Sequence, residues 1–225
     1  MAAIADNLQV VRTRIEAAAR AAGRDARAVT LLAVSKTHAV TRIAEARAAG
    51  LHAFGENYVQ EALRKMQLVP GVEWHLIGTL QSNKSRVAAE RFDWVQTVDR
   101  AKIANRLSEQ RPAQLPPLNV LIEVNISGEA SKSGVAVKEV TELAAAISRL
   151  PRLRLRGLMA IPAPGAVGDF AKMRRLYEEL GARFGFDTLS MGMSDDMDEA
   201  IAAGATMVRI GTAIFGARTR EESPA

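Results

Sequence analysis

Apolar residues along this chain alternate between two patterns. Near the start, Leu8, Val11 and Ile15 recur at helical spacing among polar neighbours, which predicts a packed helix over about 4–22. The run VTLLAVS at 29–35 is apolar almost throughout, as in strands covered on both faces. A helical stretch at 41–49 follows and stops at Gly50, a residue suited to a left-handed helix end. The alternation then repeats. Further strands are predicted at 52–54, 73–77, 93–97, 118–124, 154–159, 187–189 and 206–210. Further helices are predicted at 58–68, 82–90, 102–110, 138–150, 168–184 and 195–203. Pro112, Pro116 and Pro117 mark the loop before the fifth strand, and Pro151 stops the helix before the sixth.

Eight strands alternating with helices predict a parallel sheet with helices outside it. The number eight favours a closed (β/α)8 TIM barrel, with one extra N-terminal helix, over an open doubly wound sheet. The 225 residues suit a single domain with its core at about 29–216, and only 221–225 read as a loose tail. An apolar fraction of 48% is enough for a large core.

Composition narrows the chemistry. The chain has no cysteine, so it carries no disulfide framework, thiol nucleophile or cysteine-based zinc site. That agrees with a cytoplasmic protein. Asp6, Arg12, Arg14 and Glu16 interrupt any secretory apolar segment, and no apolar run is long enough to span a bilayer. No membrane association is expected. The net charge of +5 favours anionic ligands. Basic residues are dispersed and aromatic residues make up only 4%, without the interleaving that single-strand binders use. Nucleic acid is therefore not an expected partner.

In barrels of this kind the active site lies at the C-terminal ends of the strands. Lys36 ends the first strand on the face of Thr30, Leu32 and Val34. If that face points inward, its amine stands at the barrel mouth. A lysine set among apolar walls and other cations titrates low and becomes a nucleophile for aldehydes. Arg209 shares a face of the eighth strand with Met207 and Gly211, and barrel closure would set it beside Lys36. Two neighbouring cations call either for an anionic ligand or for a carboxylate partner, for which Glu123 is the candidate. Ser194, read as the N-cap of the 195–203 helix, and Gly211-Thr212 after the eighth strand offer backbone N–H groups at helix starts. Such groups form the usual phosphate cradle of these barrels. His38 and His75 stand at no metal-ligand spacing, so no metal is expected. The segment 78–84 lacks the Walker spacing of a P-loop.

These residues fall in stretches shared with one family. The stretches are AVSKT at 33–37, FGENY at 54–58, WHLIG at 74–78 with LQSNK at 80–84, and EVN at 123–125 with SKSG at 131–134. GLMAIP at 157–162, SMGMS at 190–194, and VRIGT at 208–212 with IFG at 214–216 complete the set. Through them the chain resembles the pyridoxal phosphate homeostasis proteins, whose barrel is similar to that of alanine racemase. The resemblance implies pyridoxal 5′-phosphate as cofactor, held as a Schiff base on Lys36. It implies Ser194, Gly211 and Thr212 around the phosphate, Arg209 facing the pyridine nitrogen and Asn57 near the ring. A cationic arginine there leaves that nitrogen unprotonated and weakens the ring as an electron sink. Relatives often continue the first stretch as SKTKP, whereas His38 and Ala39 follow Thr37 here. A role of that second lysine in collecting or transferring cofactor therefore has no counterpart at position 38. Lys132 matches another basic position of the family and is a candidate for transfer.

The expected function is a non-catalytic one: intracellular homeostasis of pyridoxal phosphate, by a monomer that passes cofactor to apo-enzymes requiring it. Racemases of the related fold carry a second β domain and a tyrosine acid/base, whereas this chain ends shortly after the eighth strand and holds only Tyr58 and Tyr177. The alternative is a pyridoxal-phosphate-dependent amino acid racemase or lyase that uses Tyr58 or His75. A lysine aldolase acting on a phosphorylated sugar is a third reading.

Overall fold

The computed structural model describes residues 3–163 and 165–216, so the segment 221–225 lies outside the described residues. Helix α1 (Ile4–Ala21) comes first and buries Ile4, Leu8, Val11 and Ile15 along one stripe. The strands follow as β1 (Thr30–Val34), β2 (Ala53–Glu56), β3 (Glu73–Leu76), β4 (Trp94–Val98), β5 (Leu118–Asn125), the two-residue β6 (Val135–Ala136), β7 (Leu153–Met159), β8 (Thr188–Ser190) and β9 (Met207–Ile210). Between them run α2 (Val40–Ala48), α3 (Val59–Leu68), α4 (Ser85–Arg91), α5 (Ala101–Gln110), α6 (Val140–Ile147), α7 (Val167–Phe184) and α8 (Met197–Ala202), with α9 (Thr212–Phe215) after β9.

All strand pairs are parallel, and the order β4-β3-β2-β1-β9-β8-β7-β5 is closed by pairing of β4 with β5. The expected eight-stranded barrel is therefore the fold. Strand β6 is an addition that the apolar pattern does not reveal. It pairs only with the end of β5, and its two residues are too few for a periodic signal. The helix expected over 138–150 opens as a 3-10 turn (Val137–Glu139), and the one expected over 82–90 opens likewise (Ser82–Lys84).

Alternation along each strand divides the core in two. Ala33, Phe54, Val95, Ile122, Leu158 and Val208 face outward into one continuous cluster with the helices. Inside the barrel lie two small apolar groups, Leu32 with Ile77 and Met207, and Trp94 with Leu121 and Met159. Between these groups the interior is polar, with His75, Gln96, Ser190 and Arg209 all buried. Helix α1 packs against α8 and α9, the two helices that follow β8 and β9. Among the described residues, no helix is long and apolar enough to cross a membrane, and no group of side chains is arranged to hold a metal ion.

Candidate functional site

A cavity of about 600 Å3 opens at the C-terminal ends of the strands, and its lining includes Lys36, Asn57, Ser194, Arg209, Gly211 and Thr212. The six residues singled out in the sequence thus meet around one space. Arg14, His38 and Asp195 also line it, with Val34, Ile77, Ile161 and Met193 as apolar wall. Three of the lining side chains, Arg14, Lys36 and Arg209, are basic and one, Asp195, is acidic, a balance that suits an anion. The volume lies within the range of small-molecule sites.

Lys36 lies two residues beyond Val34, the last residue of β1. Leu32 packs inside the barrel and Val34 and Lys36 both line the cavity, so Lys36 continues the inward face. Arg209 lies deeper than the expected position at the rim. It is in register with Leu32 across the β1–β9 pair, four residues before Lys36, and only 4% of it is exposed. Its guanidinium donates to Ser190 Oγ at 2.9 Å and to the Ala160 carbonyl at 2.9 Å. Glu123, the carboxylate candidate for pairing with it, makes no ion pair with Arg209 among the described residues and acts only through the field. Burial lowers the arginine to about 10, with Glu123 and Asp196 opposing, so it remains a cation at neutral pH.

A hydrogen-bonded chain fixes Arg209 from below. Ser190 Oγ donates to Gln96 Oε1 at 2.7 Å, and Gln96 Nε2 lies 2.8 Å from His75 Nδ1. His75 Nε2 lies 2.8 Å from Glu73 Oε1. With Gln96 donating to Nδ1, the imidazole is neutral and carries its proton on Nε2. Burial depresses the His75 pKa, in agreement with that form, although Glu73 opposes it. Trp94 stacks on the same ring at 5.0 Å. His75 is thus a wall residue deep in the barrel and is not part of the cavity lining.

The two loops expected to cradle a phosphate are built differently from each other. Gly211 and Thr212 open α9 as the sequence suggests, and the first N–H groups of any helix lack intrahelical acceptors. A Cβ on Gly211 would press on the Val34 carbonyl at 3.2 Å, so this close approach to β1 favours glycine. Ser194, by contrast, does not cap a helix. Helix α8 starts at Met197, and Asp196 Oδ1 accepts the Met193 N–H at 2.6 Å, which closes a turn before the helix begins. The Ser194 carbonyl accepts from Arg14 Nη1 at 2.7 Å. Arg14 also pairs with Asp198 at 3.0 Å, and Asn7 Nδ2 donates to the Ile214 carbonyl at 2.9 Å. Helix α1 is therefore fastened to the loop at Ser194 and to α9. Its polar face reads as an ordinary solvated one in the sequence, and nothing there marks Arg14 as part of the site.

Asn57 is held by the neighbouring loop. A Cβ on Gly78 would collide with the Asn57 backbone carbonyl, so glycine at 78 permits that contact. Thr97 Oγ1 anchors the Gly78 carbonyl at 2.8 Å. Tyr58 is 57% exposed and lines an adjoining cleft with Arg64 and Lys84, not the cavity of Lys36. Lys132 pairs with Glu129 at 3.1 Å and reaches the carbonyl of Ile161, a cavity residue, at 3.4 Å. His38 stacks on Phe215 at 4.9 Å.

Barrel and mouth together define the class, that of the alanine racemase N-terminal domain, whose family model matches residues 1–219. Within that class the chain is 60% identical over 96% of its length to a pyridoxal phosphate homeostasis protein of Escherichia coli, covering 97% of that protein. A protein of the same name from Pseudomonas aeruginosa is 58% identical, with 97% of each chain covered. The chain belongs to the family of pyridoxal phosphate homeostasis proteins. Among solved structures, PipY of Synechococcus elongatus with pyridoxal phosphate bound superposes with a TM-score of 0.81 at 35% identity, over 95% of this chain and 100% of that one. Alanine racemase of Corynebacterium glutamicum shares the fold, with a TM-score of 0.70 at 20% identity over 96% of this chain and 61% of that one.

Proposed function

We propose that this chain binds pyridoxal 5′-phosphate in the mouth cavity, holds it as a Schiff base on Lys36 and hands it on to apo-enzymes. The reading is supported most by the meeting of Lys36, Arg209, Gly211 and Thr212 around one cavity with an excess of positive charge. The donor set fits the group. Backbone N–H groups of the 211–212 and 194–195 loops, with Arg14 behind the latter, would receive the phosphate. Asn57 would stand by the ring, and Arg209 by its nitrogen. When bound, the cofactor supplies an aldehyde that an amine converts to a Schiff base with loss of water. A buried guanidinium donates hydrogen bonds and withholds its proton, which suits carriage of the cofactor better than carbanion chemistry. Tyr58 and His75, the side chains on which racemase or lyase chemistry would depend, do not line the cavity. We further read the protein as a cytoplasmic monomer with a single domain.

The test is a visible spectrum of reconstituted protein before and after borohydride, on wild type and Lys36→Ala. The wild type should take up cofactor and gain a reduced adduct that maps to Lys36, and the variant should form none. A wild type without uptake, or a variant with the adduct at the same site, overturns the reading. Sustained interconversion of amino acid enantiomers would favour the enzymatic alternative.

A further inference from the structure

Lys36 is bracketed by a cluster of buried and half-buried charges that the cofactor reading leaves unused. Lys65 on α3 is 4% exposed, and its ammonium donates to the Ser35 carbonyl at 2.7 Å, Glu56 Oε1 at 2.8 Å and Glu61 Oε1 at 2.6 Å. These three bonds use every N–H the ammonium has. Glu56 Oε1 also accepts from Ser35 Oγ at 2.6 Å, and Glu61 Oε1 accepts the Thr37 N–H at 2.6 Å. Both flanks of Lys36 are therefore held from behind, Ser35 through its carbonyl and hydroxyl and Thr37 through its amide.

The conformation being held is an unfavourable one. Thr37 has φ of 66°, and it is the only non-glycine residue with positive φ among the described residues. A β-branched side chain rarely adopts that region, and strain of this kind persists only where the surroundings over-determine it. The Thr37 hydroxyl is buried without a hydrogen-bond partner, so the side chain contributes nothing polar that would explain the choice. Taking Lys65 and Glu56 fully out of water, with Glu61 partly so, is costly and rarely adds stability. A device of this cost beside a nucleophile suggests positioning.

We propose that Lys65, with Glu61 and Glu56, is a positioning cluster for Lys36: it holds the turn over 35–37 in the left-handed form that aims the amine into the cavity. The inference rests on the cofactor reading above and deepens it. Lys65 touches neither the cavity nor the reacting atoms. It acts by fixing the backbone from which the Lys36 nitrogen attacks the aldehyde carbon, after which the aldehyde oxygen leaves as water.

The test uses Glu61→Gln, which keeps an acceptor but removes the charge, Lys65→Met, and the double variant Lys65→Met/Thr37→Gly. In cofactor-free protein, hydrogen exchange of the Thr37 amide should quicken by at least about tenfold in the single variants. Adduct formation should slow by about 100-fold, the scale expected when a reacting group is misplaced. Affinity for pyridoxine 5′-phosphate, an alcohol that cannot form the adduct, should stay within about threefold. Glycine tolerates positive φ, so Thr37→Gly should recover part of the rate lost in Lys65→Met. Should Lys65→Met fail to fold, Glu61→Gln decides alone. Wild type that forms the adduct while folded variants match its rate, with the Thr37 amide unchanged, overturns the positioning role only. Wild type that forms no adduct overturns the cofactor reading and this inference with it.

Discussion

Glu123 points into the barrel beside Met159, with Oε2 buried and without a hydrogen-bond partner. Burial and the charge of Asp99 push its carboxyl up to about 7, against the opposing pull of Arg209. In the unfolded chain the same group titrates near its ordinary value of 4.5. The native state thus keeps a proton that the unfolded state has already lost. The stability this contributes is complete below about pH 4.5 and disappears as pH rises to about 7. The shift corresponds to roughly 3 kcal/mol, at about 1.4 kcal/mol per unit. Glu123→Gln mimics the protonated form at every pH. Denaturant unfolding should therefore find the variant close to wild type near about pH 4 and more stable by a few kcal/mol near about pH 8. A difference independent of pH would contradict this account.

Among the elements, α1 illustrates what periodicity can and cannot reveal. Its buried stripe is legible, because Leu8, Val11 and Ile15 recur at helical spacing and pack as that spacing requires. The barrel is legible for the same reason: strands covered on both faces leave continuous apolar runs, and β1–β9 closure follows from their number. Lys36, Arg209, Gly211 and Thr212 could be read from their places at strand ends. Arg14, Lys65 and Glu61 could not, because each lies on a helix whose solvent-like polarity hides a long-range partner. Ser194 misleads for a related reason: Asp196 takes the loop N–H and delays the start of α8. The link between α1 and the loop after β8 can be tested directly. The Arg14–Asp198 pair is half exposed, so Arg14→Ala should cost at most about 1 kcal/mol of stability. Loss of the bond to the Ser194 carbonyl should nevertheless loosen the loop. Affinity for pyridoxal phosphate should then fall by about tenfold, equivalent to about 1.4 kcal/mol. Unchanged affinity in a titration would show that α1 does not brace the site.

At the scale of the whole molecule, the polar barrel interior is a scaffold for the buried Arg209 cation. The chain from Arg209 through Ser190, Gln96 and His75 to Glu73 joins β9, β8, β4 and β3 across the interior. Gln96→Leu would cut it in the middle and leave His75 Nδ1 without its donor and the Ser190 O–H without its acceptor, while Ser190 Oγ still accepts from Arg209, at about 1–3 kcal/mol for each unsatisfied group. Cofactor-free protein should lose stability accordingly, and the absorption of the bound cofactor should shift as Arg209 loses its support. The intact scaffold should in turn be stabilised by its ligand. A ligand that binds only the native state contributes about 2.7 kcal/mol at 100 times its dissociation constant, or roughly 5–10 °C in a chain of this size. For wild type with pyridoxal phosphate, the unfolding temperature should therefore climb with the logarithm of free ligand. After borohydride reduction the adduct cannot dissociate, so excess ligand should add nothing further. Lys36→Ala corrects for adducts on other lysines. It should retain a smaller rise, because the loops proposed to receive the phosphate, and Arg209, remain. If calorimetry finds wild type and Lys36→Ala equally stabilised at every ligand concentration, the bond to Lys36 contributes nothing to holding the cofactor.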